Sequence, residues 1–147
     1  MMGKDLGYHD DYVNYIQRAQ YYKNLFDPGT GFMRGRLNGM WVTPFDPTEV
    51  NFMLTEANTW QYNFFVPQDV SGLIDLYGGD EGFTAKLDEM FNASTDMSGR
   101  HQSDITGLIG QYAHGNEPSH HMAYLYNWTN APDKGQERLD QIMREFY

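Results

Sequence analysis

Two stretches of the sequence carry the side chains best suited to chemistry. Residues 112–121 read YAHGNEPSHH, gathering three histidines, an asparagine and a glutamate around a glycine and a proline, in a chain with 5 histidines in all. Residues 52–65 read FMLTEANTWQYNFF, in which Glu56 stands among Phe52, Trp60 and Phe64. Trp60 lies four residues on, so a helix beginning at or before Glu56 would put both on one face. Aromatic surroundings disfavour an ionised carboxyl, and a group kept protonated in this way serves as a general acid. The plainer reading of Glu56 is an ionised residue at a helix N-terminus, held by the helix dipole.

The histidine stretch allows several chemistries. A zinc cage fits poorly: HExxH is absent, and on a helix the adjacent His120 and His121 would point about 100° apart. Asn116 and Glu117 both offer oxygen, the donor that hard cations such as calcium take, although no EF-hand pattern accompanies them. The plain alternative is a Gly-Asn turn and a helix started by Pro118, with the histidines in ordinary hydrogen bonds. Other catalytic signatures are missing. GTGFMRGR lacks the GK[ST] ending of a phosphate loop, and no serine sits in a GxSxG elbow. NAS at 92–94 and NWT at 127–129 match glycosylation sequons, which matter only in a eukaryotic secretory host.

The elements that must position these residues read mainly as helices. Tyr12, Tyr15, Ile16, Ala19, Tyr22 and Phe26 recur at helical spacing over 10–26, and DPGTG at 27–31 ends that run. Residues 27–55 show no sustained period apart from short strand-like pieces near 32–37, and a loop this long in a small domain is usually functional. It carries Arg34, Arg36 and Trp41, which could line a polar cleft. Helices are predicted over about 58–65, 68–77 and 80–92, the last with Phe83, Leu87 and Phe91 on one face. A short helix is predicted in DITGLIGQYAHG, another begins at PSHH, and a last one spans APDKGQERLDQIMREFY with Leu139, Ile142, Met143 and Phe146 inward. The fold class expected is all-α.

Composition narrows the function further. At 147 residues the chain is the size of one domain with room for a real core. Its net charge of −10 would repel a phosphate backbone, so nucleic acid is not an expected partner. No run approaches the roughly 20 apolar residues of a membrane span, and the polar, acidic start contains no signal-peptide core. Zero cysteines exclude disulfides and thiolate zinc sites. Aromatic residues make up 16% of the chain, and their flat faces suit both core packing and sugar rings.

Three long stretches together, YYKNLFDPGTGFMRGRLNGMWVTPFDP, TEANTWQYNFFVPQDVSGLI and DITGLIGQYAHGNEPSHHMAYLYN, resemble glycoside hydrolase family 92. Its members are calcium-dependent, inverting exo-α-mannosidases, chiefly bacterial. The likeness runs in order over about residues 10–147. It implies an enzyme whose catalytic domain joins an N-terminal β-sandwich to an (α/α)6 toroid, of which this chain would be a partial, toroid-like helical array. It also implies that Glu56 is the general acid. His114, Asn116 and Glu117 would belong to the loop that meets sugar and Ca2+, with Asn116 and Glu117 as metal ligands. Trp60, Gln61 and His120 are neighbours of the site by position, counted with His114 and Glu117 as substrate-binding. The implied partner is an α-mannoside or mannose-rich glycan, and full-length bacterial relatives are expected in the periplasm or outside the cell.

The family's base carboxylates fall in a segment beyond Tyr147, and the sandwich lies before Met1. The sequence therefore reads as an internal piece of the catalytic domain that carries the acid half of the machinery and is inactive alone, its partners including the missing domains. Two other readings stand beside it: a calcium-dependent mannoside-binding module without turnover, and a structural helical fragment without ligand.

Overall fold

The computed structural model describes residues 2–147. Helices α1 (Met2–Asp5) and α2 (His9–Ala19) open it. The predicted helix does not run on to Phe26, because Tyr21–Leu25 tightens into a 3-10 turn and Phe26–Asp27 (β1) turns back onto Phe32–Met33 (β2). Asp27 makes that reversal, accepting from the Gly29 N–H at 3.0 Å and the Thr30 hydroxyl at 3.0 Å. A second hairpin pairs Arg36–Leu37 (β3) with Met40–Trp41 (β4) across Asn38-Gly39, both at positive φ, the backbone that a tight two-residue hairpin demands.

Downstream, β5 (Glu49–Val50) leads to α3 (Thr59–Asn63), α4 (Val70–Leu76) and α5 (Asp80–Asn92). β5 pairs in parallel with β6 (Ser98–Gly99), tying the irregular 27–55 region to the far side of α5. The stretch read as a short helix over 104–115 is instead a hairpin, β7 (Leu108–Ile109) against β8 (Tyr112–Ala113). Gly110 starts its turn at φ +57, where a Cβ would also collide with the Met90 carbonyl. Two 3-10 turns follow, Glu117–Ser119 and Met122–Trp128, before α6 (Pro132–Phe146) closes the fold.

The expectation of an all-α, toroid-like array is overturned. The architecture is mixed α/β, with helices joined by two-stranded ladders, one of them parallel. The reason is local: each strand is only two residues long, so it leaves no alternation in the sequence, while Gly, Asn and Pro in the intervening loops bend the chain back on itself.

One aromatic-rich core holds these pieces together. Phe64, Leu73, Phe83, Leu87, Met90 and Tyr126 are all fully buried in it. Phe83, Leu87 and Phe91 of α5 point inward as their spacing predicts. In α6, Ile142 is buried and Leu139 and Phe146 lie against the core, but Met143 faces outward at 60% exposure. None of α2 is buried, so its apolar stripe of Val13, Tyr15 and Ile16 lies open. Among the described residues no helix is long and apolar enough to cross a membrane.

Candidate functional site

The start of α3 fixes the position of Glu56. Asn58 caps the helix, its side chain accepting from the Gln61 N–H at 3.2 Å while Gln61 Oε1 accepts from the Asn58 N–H at 3.1 Å. This reciprocal pair starts the helix at Thr59, so Glu56 lies in the bend before it and not on a face shared with Trp60. The aromatic cage expected around Glu56 is likewise open, since Phe52 is 93% exposed. Glu56 is half-buried, and none of the ion pairs among the described residues engages it.

A network of buried amides carries this bend to the histidine loop. Asn58 Nδ2 donates to Gln111 Oε1 at 2.7 Å, and Gln61 Nε2 donates to the Gln111 carbonyl at 3.1 Å. Gln111 Nε2 in turn donates to the Asp96 carbonyl at 3.0 Å. Asn58, Gln61 and Gln111 are fully buried, so each amide makes bonds that water cannot replace. One turn further on, Asn116 Nδ2 donates to the Glu56 carbonyl at 3.3 Å. Residues sixty apart in sequence are thereby brought to the same place, and Glu56 and the 114–117 loop form one locality.

Within that loop, His114 is held on three sides. Its ring stacks on Phe146 at 5.1 Å between centroids and 9° between planes, Nδ1 bonds the Tyr112 hydroxyl at 2.9 Å, and Nε2 bonds the Tyr147 hydroxyl at 3.1 Å. Burial, and then the neighbouring His120, hold its pKa below the ordinary histidine value. Tyr112 is pushed up to about 12 by its own burial, so its phenol stays neutral beside the ring. His120 Nε2 donates to the His114 carbonyl at 2.8 Å, which leaves its Nδ1 as an acceptor. His121 turns the other way and donates to the Phe64 carbonyl at 2.9 Å. The three histidines thus split into a pair and a single one anchored to the core.

Asn116 is fully buried, and its Oδ1 has no hydrogen-bond partner among the described residues. Glu117, next to it, is exposed. An orphaned amide oxygen beside an open carboxylate is an all-oxygen donor pair, which suits calcium in type but falls short of the six to eight ligands it takes. Among the described residues no group of three or more His, Asp or Glu side chains is arranged to hold a metal.

Trp60 and Gln61 lie deeper. Trp60 is 5% exposed, edge-on to Phe32 at 4.6 Å and covered by the Lys86 ammonium at 4.5 Å. Gln61 is spent on the capping pair and on Gln111. Gln61 thereby fixes the cap that follows the Glu56 bend, and Trp60 is taken up by the core. Asn58 and Gln111 were missed in the sequence. The N-T-W-Q capping signature could have revealed Asn58, whereas nothing marked Gln111.

The whole chain, residues 1–147, matches the model of the glycosyl hydrolase family 92 catalytic domain. The chain belongs to glycoside hydrolase family 92. It is similar over 99% of its length to a family 92 alpha-mannosidase from Bacteroides thetaiotaomicron solved in complex with mannoimidazole, at 42% identity and a TM-score of 0.86, covering 20% of that chain. A family 92 inverting mannosidase from the same organism is similar at 34% identity and a TM-score of 0.78, with 99% of this chain and 21% of that one covered. An uncharacterized secreted glycosidase from Arthroderma benhamiae is 31% identical over 162 residues, which is 94% of this chain and 19% of that protein. The chain therefore spans about a fifth of the length of the family 92 proteins it matches.

Proposed function

We propose that this segment supplies the general acid and part of a calcium- and sugar-contacting loop to an inverting exo-α-mannosidase. The observation that carries the reading is the Asn116–Glu56 hydrogen bond, which joins the candidate acid to the candidate loop. Glu56 protonates the glycosidic oxygen as the bond to the leaving group breaks. The carboxylate that activates water from the opposite face, about 6.5–9.5 Å away in inverting enzymes, is assigned to the part of the family 92 catalytic domain that this chain does not span.

Asn116 Oδ1 and the Glu117 carboxylate are the residues here that would hold calcium, with further ligands from outside the segment. Calcium bound there would take two vicinal hydroxyls of a terminal mannose and so orient the ring. His120 offers a free ring nitrogen to a sugar hydroxyl, and His114, locked between Phe146 and its two tyrosines, fixes the loop that presents Asn116 and Glu117. Gln61 acts from within, holding the Asn58 cap next to Glu56, and Trp60 anchors the same short helix in the core. Export from the cell goes with this reading, since a glycan is its substrate and one relative is described as secreted.

The test uses the purified chain with an α-1,2-linked mannobiose and calcium, with and without chelator. Calcium-dependent binding that falls at least tenfold in Glu117→Gln supports the loop assignment. In a catalytic domain that includes this segment, mannose release that persists at the wild-type rate in Glu56→Gln would remove Glu56 as the acid.

A further inference from the structure

Glu56 lies outside any helix or strand, and its carboxylate takes part in none of the ion pairs among the described residues. The direction of its side chain is therefore set by the backbone that carries it. Two peptide planes flank the Glu56 Cα, and each is rigid, so holding both fixes where the Cα–Cβ bond points. Asn116 holds the plane after it, donating from Nδ2 to the Glu56 carbonyl at 3.3 Å. Arg100 holds the plane before it, donating from Nη2 to the Thr55 carbonyl at 2.7 Å.

Arg100 is itself placed by the parallel ladder of β5 and β6. Its backbone N–H donates to the Val50 carbonyl at 2.8 Å, and Gly99, at φ +86, lets β6 come so close that a Cβ there would strike the same carbonyl. From that anchor the guanidinium reaches across the loop. Nε donates to the Asn51 carbonyl at 3.4 Å, and Nη1 donates to Gln102 Oε1 at 2.9 Å. None of the ion pairs among the described residues engages Arg100, so its charge is spent on neutral oxygens. Hydrogen bonds with one charged partner are about twice as strong as neutral ones. Gln102 Nε2 donates in turn to Asp104 at 2.9 Å, and two residues on the Thr106 carbonyl accepts from the Gly115 N–H at 2.9 Å. The segment that pins the Glu56 bend thus also backs the histidine loop.

We infer that Arg100 is a positioning residue for the mannosidase reaction, aiming the Glu56 carboxyl at the glycosidic oxygen by fixing the Thr55–Glu56 peptide. The inference rests on the reading of Glu56 as the acid. When the glycosidic bond breaks, its electron pair goes to the leaving oxygen, and the Glu56 carboxyl supplies the proton that makes this a neutral sugar hydroxyl. With the carboxyl turned away, a sugar has to leave as an alkoxide and is slow. A dinitrophenolate departs without a proton and is not.

The experiment uses a catalytic domain that includes this segment, and compares α-1,2-mannobiose with 2,4-dinitrophenyl α-mannopyranoside in the wild type, Arg100→Met, Arg100→Lys and Glu56→Gln. In Arg100→Met, kcat on mannobiose is expected to fall about 100-fold, the low end of what a general acid contributes, with KM changed by less than about threefold. On the dinitrophenyl substrate the fall is less than about fivefold, because no proton is needed there. Arg100→Lys recovers part of the loss, since an ammonium can reach the Thr55 carbonyl but cannot span the fork to Asn51. A fall of equal size on both substrates, the mark of a merely structural role, would overturn the inference, and so would no fall on mannobiose. Where Arg100→Met does not fold by circular dichroism, the same comparison in Arg100→Lys decides. Glu56→Gln separates the two readings. Selective loss there without selective loss in the Arg100 variants sinks the inference alone, whereas no selective loss in Glu56→Gln removes the acid and the inference with it.

Discussion

At the scale of single residues, His114 shows how the fold sets a side chain's charge. Its pKa is held down by burial, with His120 adding to the effect, so the folded chain resists protonating it while the unfolded chain does not. The unfolded state then binds more protons below the ordinary histidine value of about 6.5, and stability is full above that pH and lost as pH falls through the folded value. We expect the urea midpoint to drop between pH 7.5 and pH 5.5, and to drop less in His114→Gln, as measured by denaturation at the two pH values. The chemistry open to the candidate residues is legible in the sequence, because Asn116 and Glu117 are oxygen donors wherever they stand. Their states are not. The surroundings of Glu56 depend on Phe52 pointing into solvent and on a capping pair that starts α3 three residues later than the shared-face reading required.

The elements divide by how long a pattern they need. α5 and α6 run 13 and 15 residues, long enough for a 3.6-residue period to show, and both stand where the apolar spacing put them. The ladders have two residues a strand, and the β7–β8 hairpin passed for a helix because Leu108, Ile109 and Tyr112 are also spaced as a helical face would be. Gln111 sits at that hairpin's turn and joins it to the cap of α3. Replacing it with Leu keeps the volume roughly but leaves Asn58 Nδ2 without its shortest bond and the Asp96 carbonyl without a donor. A loss of about 2–3 kcal/mol is expected, since each buried polar group left unpaired costs about 1–3 kcal/mol. Equilibrium unfolding checks it, and a Gln111→Leu variant as stable as the wild type would show that the network does not join the two sites.

For the molecule as a whole, the open apolar stripe on α2 and exposed Leu6 and Tyr8 mark a surface that a larger catalytic domain would cover. The isolated chain is expected to self-associate, with the sedimentation coefficient rising with concentration. A Val13→Lys, Ile16→Lys double variant should sediment as a monomer. A wild-type chain that is monomeric and melts cooperatively would argue against the exposed face being an interior surface. The family was legible from three stretches covering about half of the chain, but the fold class was not, because the resemblance supplied an architecture for proteins of which this chain spans about a fifth.

If Glu56 and the 114–117 loop form one mannoside site, α-1,2-mannobiose titrated into the chain by calorimetry binds with measurable heat in calcium. That heat is lost in chelator and in Asn116→Leu, with the variant still folded by circular dichroism. Binding indifferent to both calcium and Asn116, or no binding by a folded wild-type chain, would contradict that arrangement.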